Sequence, residues 1–243
     1  MKRNILWKTL IYFIIYSIIG FFMETIYAIF TKGMIESRKS FLYGPFCIIY
    51  GVGAICLTMT LTRYKNQNKK IFFYGMIVGC LVEYLGSYIG EIFLHVKWWD
   101  YSNDFLNING RTCLYYAILW GFLSIALINY VNPVIDKYID IMIQKTSSQF
   151  WKLCISSVTL LMIFDGILTC IVLDNFLIRV SSEYNIDIKG IDSNQINNID
   201  LSKNYSNERM MMTYPNIIVV NDKNENIYLE SLLTDVKNYY YKF

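Results

Sequence analysis

Apolar and polar positions divide the chain into long hydrophobic segments joined by short polar connections. A helix needs roughly 20 residues to cross about 30 Å of hydrocarbon. Five segments approach or exceed that length, which predicts transmembrane helices at residues 7–30, 43–61, 71–95, 112–131 and 153–177. The first is too long and too polar inside for a signal peptide. The predicted fold class is therefore an all-α, polytopic membrane helix bundle.

The last quarter of the chain has a different pattern. Residues 181–212 are rich in Asn, Asp and Ser, which is typical of a flexible or loosely folded segment. The following stretch, YPNIIVVNDKNENIYLESLL, places two β-branched runs around a polar turn and predicts a small β-hairpin. The predicted organisation is a transmembrane bundle over residues 1–180 and a polar, partly flexible C-terminal tail over residues 181–243.

Composition supports an integral membrane protein. Hydrophobic residues make up 55% of the chain and charged residues 17%, below the roughly 25% typical of soluble domains. The net charge of +3 is small and argues against a nucleic-acid partner. The six cysteines lie in or beside apolar segments without CxxC spacing, so they are expected to be small buried hydrophobes. We expect no cofactor and no metal site.

Basic residues in the short connections predict the orientation. With a cytoplasmic N-terminus, the inner connections hold ten basic residues and the outer ones five. This predicts a multi-pass protein of the cell membrane, such as the bacterial inner membrane, and leaves the side of the tail open. Residues 132–151, between helices four and five, fit two alternatives: a helix on the inner membrane surface, or a cytoplasmic extension of helix four.

Ionisable residues inside the apolar segments are candidates for function. Glu83 and Asp165 fall near the middle of predicted helices, where a charge costs about 2.5–3.5 kcal/mol or more. Each acid either bonds to neighbouring hydroxyl groups and holds helices together, or lines a polar path. Glu83, Ser87 and Glu91 recur every four residues and share one helix face.

The segment WWDYSNDFLNINGR, residues 98–111, combines aromatic and polar side chains between two apolar helices. Its aromatic residues suit the headgroup level, and Asn109-Gly110 predicts a left-handed turn. We expect Arg111 to pair with Glu91 first or Asp100 second, either for function or only to close a helical hairpin. The candidate substrate-binding residues are Glu24, Glu83, Glu91, Trp98, Trp99, Asp100, Tyr101, Asn107, Asn109 and Arg111.

Three stretches resemble the CmpB-type family of ABC-transporter permeases: FLYGPFCIIYGVGA, EYLGSYIGEIFLHVKWWDYSNDFLNINGRTCLYYAILWG and NERMMMTYPNI. The WWDYS and NINGR block is the most specific part, whereas Ile48 departs from the family, where a proline often follows Phe-Cys. The resemblance implies a multi-helix permease whose first loop approaches its third loop to form one outer-face site. It adds a loop-one motif to the candidate site: Tyr43, Gly44, Pro45, Tyr50 and Gly51.

Three functions compete on these residues. The first is a permease-like component that moves or captures a small solute, with the bilayer, a separate ATPase subunit and a second copy of the chain as partners. Any ATP-driven role would require the separate ATPase subunit, because the chain has no Walker A pattern. The second is a membrane-embedded enzyme acting on lipid headgroups, although no recognised catalytic motif is present. The third is a non-catalytic scaffold or sensor that uses its tail.

Overall fold

The computed structural model describes residues 5–145, 147–192 and 201–232. Within these residues the fold is mostly helical, with three short strands. The helices are α1 (Ile5–Lys32), α2 (Ile48–Leu61), α3 (Asn68–Leu94), α4 (Leu114–Ala126), α5 (Asn132–Lys145), α6 (Ser148–Tyr184), α7 (Asn207–Thr213) and α8 (Leu229–Leu232). The strands are β1 (Val96–Lys97), β2 (Ile218–Val220) and β3 (Asn226–Tyr228).

Four helical stretches in the described chain are long and apolar enough to cross a membrane: Ile5–Lys32, Asn68–Leu94, Leu114–Met142 and Gln149–Tyr184. Only 22–28% of the most apolar window of each is buried within the protein. The rest is an apolar exterior of the kind that faces lipid. The predicted all-α membrane helix bundle is therefore confirmed.

The second predicted helix is shorter than expected. It was predicted to start at Tyr43, but α2 begins at Ile48 and continues through a 3-10 turn, Thr62–Tyr64. Gly44 has φ +72°, a left-handed conformation that a helix cannot contain, and Pro45 follows it. As a result, α2 has 14 residues and is about 21 Å long, less than the hydrocarbon thickness.

Helix four continues well past its predicted end. A π-helical turn, Leu127–Val131, joins α4 directly to α5, so residues 114–145 form one helical rod. Of the two alternatives for residues 132–151, the extension of helix four is the one found over α5. Pro133 lacks the N–H that would bond four residues back, and the π turn lies where that bond would be lost.

The chain folds as two compact units, and the first comprises Met1–Gly20, Cys47–Leu85 and Tyr101–Ile163. Along α1, polar side chains every four residues meet α5. Lys8 Nζ lies 2.9 Å from Asp136 Oδ2, the Tyr12 hydroxyl donates to Asp136 Oδ1 at 2.8 Å, and Tyr16 donates to Asn132. Tyr12 and Tyr16 are buried and also form part of the apolar core of this unit.

Helices α3 and α4 pack as a close antiparallel pair in the first unit. A methyl group on Gly79 would lie 2.2 Å from Cγ of Trp120, so only glycine permits this approach. Near the other end of the pair, Asn129 donates to Asn68 Oδ1 at 2.7 Å. These contacts determine the register of the two helices.

The second unit comprises Phe21–Phe46, Gly86–Asp100 and Phe164–Phe243. Its core joins the C-terminal half of α6 to the tail. The fully buried side chains include Phe176, Leu177, Met210, Met211 and Val219. The tail segment predicted to be flexible therefore supplies α7 and much of this core over its described residues. Residues 193–200 and 233–243 of the tail lie outside the described chain, and the division at residue 180 stays a prediction.

A three-stranded antiparallel sheet ties the tail to the end of α3. The predicted hairpin is confirmed, because β2 pairs with β3 with Val219 opposite Ile227. The sequence did not reveal the third strand: β1 follows α3 directly and pairs with β2, Val96 opposite Val219. His95 makes the turn between helix and strand with φ +57°.

We expect Phe176→Ala to destabilise the second unit by about 3–5 kcal/mol, because it empties a fully buried site between α6 and the tail. Thermal unfolding and tryptic cleavage of the purified protein measure this loss. Phe164→Ala is the matched control, since Phe164 lies on the same helix but is 67% exposed. Equal loss from both substitutions would contradict the packing of the tail on α6.

Candidate functional site

The strongest candidate site in the first unit forms around Glu83. Its side chain is 6% exposed, and the Thr112 hydroxyl donates to Glu83 Oε2 at 2.9 Å. Thr112 itself is 1% exposed and precedes Cys113, the N-cap of α4. The carboxylate therefore lies near the N-terminal end of a helix, where free N–H groups and the helix dipole favour negative charge.

The position of Glu83 makes this arrangement unusual for a membrane helix. Glu83 lies about 16 Å along the axis from the end of α3 at Leu94. Irregular backbone beside such a position needs protein or water to satisfy its polar groups. The connection before α4 meets that need internally: Tyr101 N donates to Gly110 O at 2.8 Å and Ile108 N to Thr112 O at 2.9 Å.

Asparagine side chains stabilise the same connection through hydrogen bonds and a left-handed turn. Asn107 Nδ2 donates to the carbonyls of Ser102 and Asp104, both at 3.0 Å, and Asn107 Oδ1 accepts from Gly110 N at 3.1 Å. Asn109 and Gly110 have φ values of +53° and +66°, as the predicted left-handed turn requires. Asn107 therefore acts as an internal brace of the connection.

Tyr84, the residue after Glu83 on α3, also contacts this connection. Asn109 Nδ2 donates to the Tyr84 hydroxyl at 3.0 Å, and the Arg111 guanidinium lies 5.8 Å from the centre of the Tyr84 ring. Arg111 is 8% exposed, so a cation and a carboxylate are both buried in this unit. Tyr101 stacks on Tyr116 with ring centres 4.4 Å apart. We refer to Glu83, Tyr84, Asn109, Arg111 and Thr112 as the Glu83 cluster.

The remaining residues of the third loop contact the tail in the second unit. Asp100 Oδ2 accepts from Asn226 Nδ2 and from the Tyr228 hydroxyl, both at 2.7 Å. The Trp98 ring lies 5.4 Å from the Tyr214 ring. Trp98 thus packs against the core of the second unit instead of serving only as a headgroup-level aromatic.

The remaining candidate residues on the predicted outer side are Glu91, Glu24 and Trp99. Lys97 Nζ lies 3.7 Å from Glu91 Oε2, so Glu91 has a cationic partner on the following strand. Glu24 is half-buried on α1, and Trp99 is half-buried after β1. Pairing of Arg111 with Glu91 or Asp100 stays a prediction, and so does substrate binding by these residues.

The loop-one motif divides between the two units. In the second unit, Tyr43 N donates to Asp165 Oδ2 at 3.1 Å, and the Tyr43 hydroxyl lies 2.9 Å from that of Tyr205. The turn at Gly44-Pro45 follows directly. In the first unit, Tyr50 and Gly51 lie inside α2, where a methyl group on Gly51 would lie 2.3 Å from Ser17 Oγ. Tyr50 and Gly51 therefore serve helix packing, not a loop.

Asp165 has its described partners in loop one and in its own helix. Leu42 N donates to Thr169 Oγ1 at 3.0 Å, one helical turn beyond Asp165. A carboxylate and a hydroxyl on α6 thereby accept two successive backbone N–H groups of the loop. This agrees with the structural alternative for Asp165, in which it holds chain segments together.

A buried carboxylate that the sequence analysis missed lies at Glu36. Its side chain is 1% exposed and accepts from Lys32 Nζ at 2.9 Å and Arg38 Nη2 at 3.0 Å. Lys32 Nζ also donates to Asn216 in the tail at 2.8 Å. The spacing of Lys32 and Glu36 by four residues was the available signal, but Glu36 lies outside the apolar runs that drew attention.

Among the described residues, no group of three or more His, Cys, Asp or Glu side chains is arranged to hold a metal ion. The hydroxyl, carboxylate, amide and guanidinium groups of the Glu83 cluster suit hydrogen bonding to a polar solute.

Comparison with models of known protein families shows to which family the chain belongs. A family model described as "Putative ABC-transporter type IV" matches residues 11–170. The chain belongs to this family. The matched range contains the whole Glu83 cluster and loop one, while the tail lies beyond it. No curated protein and no solved structure matches the chain.

Family membership and the four long apolar helices together identify a multi-pass, transporter-type membrane protein. The resemblance drawn from the sequence is confirmed over residues 11–170. Its extension to NERMMMTYPNI in the tail stays a prediction, because those residues lie outside the match.

The bond to Asp100 gives the tail a testable pH dependence. Hydrogen bonding to Asp100, with burial second, raises the pKa of Tyr228 above the usual value for tyrosine. A tyrosine whose pKa is raised on folding adds to the free energy of unfolding. This contribution is complete below the unfolded pKa of about 10 and is lost as the pH rises through the folded pKa. Tyr228→Phe should therefore lower the melting temperature at pH 8, and this difference from the wild type should shrink at more alkaline pH.

A difference in melting temperature that does not depend on pH would contradict the bond between Tyr228 and Asp100. The control is Tyr115→Phe, which makes the same change at an exposed tyrosine outside the tail.

Proposed function

We propose that this protein is the permease-like membrane component of an ABC-type transporter and that the Glu83 cluster holds a small polar solute. The observation that carries the proposal is the hydrogen bond between Glu83 and Thr112. Glu83 is a buried carboxylate near the middle of α3, and Thr112 lies just before the start of α4. Helix N-termini directed at a polar group inside the membrane are a common element of solute sites in transporters.

The chemistry of the cluster supports a solute with both donor and acceptor groups. The Glu83 carboxylate can accept hydrogen bonds, whereas the buried Arg111 guanidinium can donate them. Here the groups of opposite character come from α3 and from the connection before α4.

Energy for transport would come from a separate ATPase subunit, since the chain itself has no Walker A pattern. The proposal includes a complex of this chain with that subunit, or a complex of two copies of this chain. Affinity purification of the tagged full chain from its own membranes should recover a nucleotide-binding subunit. Recovery of the chain with no ATPase would remove this part of the proposal.

Glu83→Gln tests the solute site. Glutamine keeps the size of the side chain and an oxygen that accepts from Thr112, but it removes the charge. We expect a deletion strain carrying Glu83→Gln to show the same intracellular and extracellular metabolite profile as the deletion, by mass spectrometry, despite normal membrane expression. Loss of a positioned charge at a site of this kind costs at least about tenfold in rate.

The matched control is Glu208→Gln, which makes the same charge change at an exposed position of the tail. It should restore the wild-type profile. Full restoration by Glu83→Gln would rule out the Glu83 cluster as the solute site.

We also propose that the N-terminus is cytoplasmic and that the tail lies outside, at the cell membrane of a bacterium. In the second unit the tail contacts the ends of α1 and α3, through Lys32 with Asn216 and Val96 with Val219. The tail thus shares a side with the first loop and with the C-terminal end of α3, the side predicted to hold fewer basic residues.

Cysteine labelling checks this orientation. In a background with the six native cysteines replaced by serine, a membrane-impermeant maleimide should label Lys223→Cys in intact cells. Lys65→Cys, in the turn between α2 and α3, should react only after permeabilisation. The reverse pattern would overturn the proposed orientation, and labelling of both after permeabilisation confirms that both sites are reactive.

A further inference from the structure

The turn after α2 and the first residues of α3, together residues 62–70, form a concentrated basic surface. Arg63, Lys65, Lys69 and Lys70 are all exposed. The sequence contains no acidic residue between Glu36 and Glu83. Within the described chain none of these four cations forms an ion pair. We call residues 62–70 the basic turn.

The basic turn is held in a defined shape. Lys65 N donates to Thr62 O at 3.1 Å and Gln67 N to Tyr64 O at 2.8 Å. Asn129 then braces the turn from the side, accepting from Asn66 N at 3.0 Å and donating to Asn68 at 2.7 Å. These bonds define the backbone of the basic turn, from which the four basic side chains extend.

Two of the cations lie over the same tyrosine ring. The Arg63 guanidinium lies 4.8 Å and the Lys70 ammonium 5.6 Å from the centre of the Tyr64 ring, which stacks on Tyr74. Cation–π attraction offsets part of their mutual repulsion. A bound anion would offset the rest, because no carboxylate of the described chain does so.

The neighbouring helix residues indicate what kind of anion fits. The basic turn joins the ends of two apolar helices, and Met59 on α2 and Phe73 on α3 are 75% and 60% exposed. Positive charge next to exposed apolar surface matches a phospholipid, with its phosphate at the turn and its acyl chains along the helices. A free phosphate would use only the charged part.

We propose that the basic turn binds the headgroup of an anionic phospholipid of the adjacent leaflet. This inference is independent of the proposed transport function and of the Glu83 cluster. Each basic residue near an anionic headgroup contributes about fivefold in affinity. Binding weakens with salt, since the cations are exposed to solvent.

The test uses the full chain purified in a non-ionic detergent and native mass spectrometry. The probes are short-chain phosphatidylglycerol, short-chain phosphatidylcholine and inorganic phosphate. We expect the wild-type protein to retain phosphatidylglycerol in preference to phosphatidylcholine. Lys69→Gln with Lys70→Gln should weaken phosphatidylglycerol binding roughly tenfold or more and leave phosphatidylcholine binding unchanged.

The matched control is Lys203→Gln with Lys223→Gln, which removes the same charge from exposed positions of the tail. It should change phosphatidylglycerol binding less than about twofold. Equal losses in the two double variants, or equal wild-type affinity for both lipids, would overturn the proposal. Binding of inorganic phosphate as strong as that of phosphatidylglycerol would also overturn it, by showing that the acyl chains contribute nothing.

Discussion

The structure depends on the need to give every buried carboxylate a hydrogen-bonding partner within protein. A charge left against hydrocarbon is expensive, and the chain satisfies its acids by pairing them across elements. Glu83 on α3 accepts from Thr112 before α4, and Asp165 on α6 accepts from loop one. The half-buried Asp136 on α5 is paired in the same way with Lys8 and Tyr12 on α1. These bonds determine where connections and helix ends can lie.

The same type of bond has different consequences at different carboxylates. At Asp165 the partner is the backbone N–H of Tyr43, so the acid holds a loop that would otherwise have unsatisfied donors. At Glu36, two cations neutralise a carboxylate at the end of α1. At Glu83 the partner is a hydroxyl next to a helix N-terminus, with a buried arginine in the same unit. The arrangement at Glu83 is the one on which the proposed solute site rests.

The family match and the fold divide the chain at different places. The match ends at residue 170, whereas the second unit uses α6 and the tail as one core. Buried tail residues such as Met210, Met211 and Val219 pack with Phe176 of α6. Removing the tail would therefore expose the apolar side of a helix that belongs partly to the matched region. The tail is a structural part of this protein in addition to any role in binding partners.

The sequence by itself determined the apolar helices, the β2–β3 hairpin and the left-handed turn at Asn109-Gly110, because each is a local pattern of hydropathy or backbone preference. Tertiary structure alone decided the pairing of β1 with the tail and the partners of Asp100 and Asp165. It also separated Trp98 and Asp100 from Asn109 and Arg111, which are neighbours in sequence but belong to different units. These features depend on contacts between distant segments, whose register no local pattern encodes.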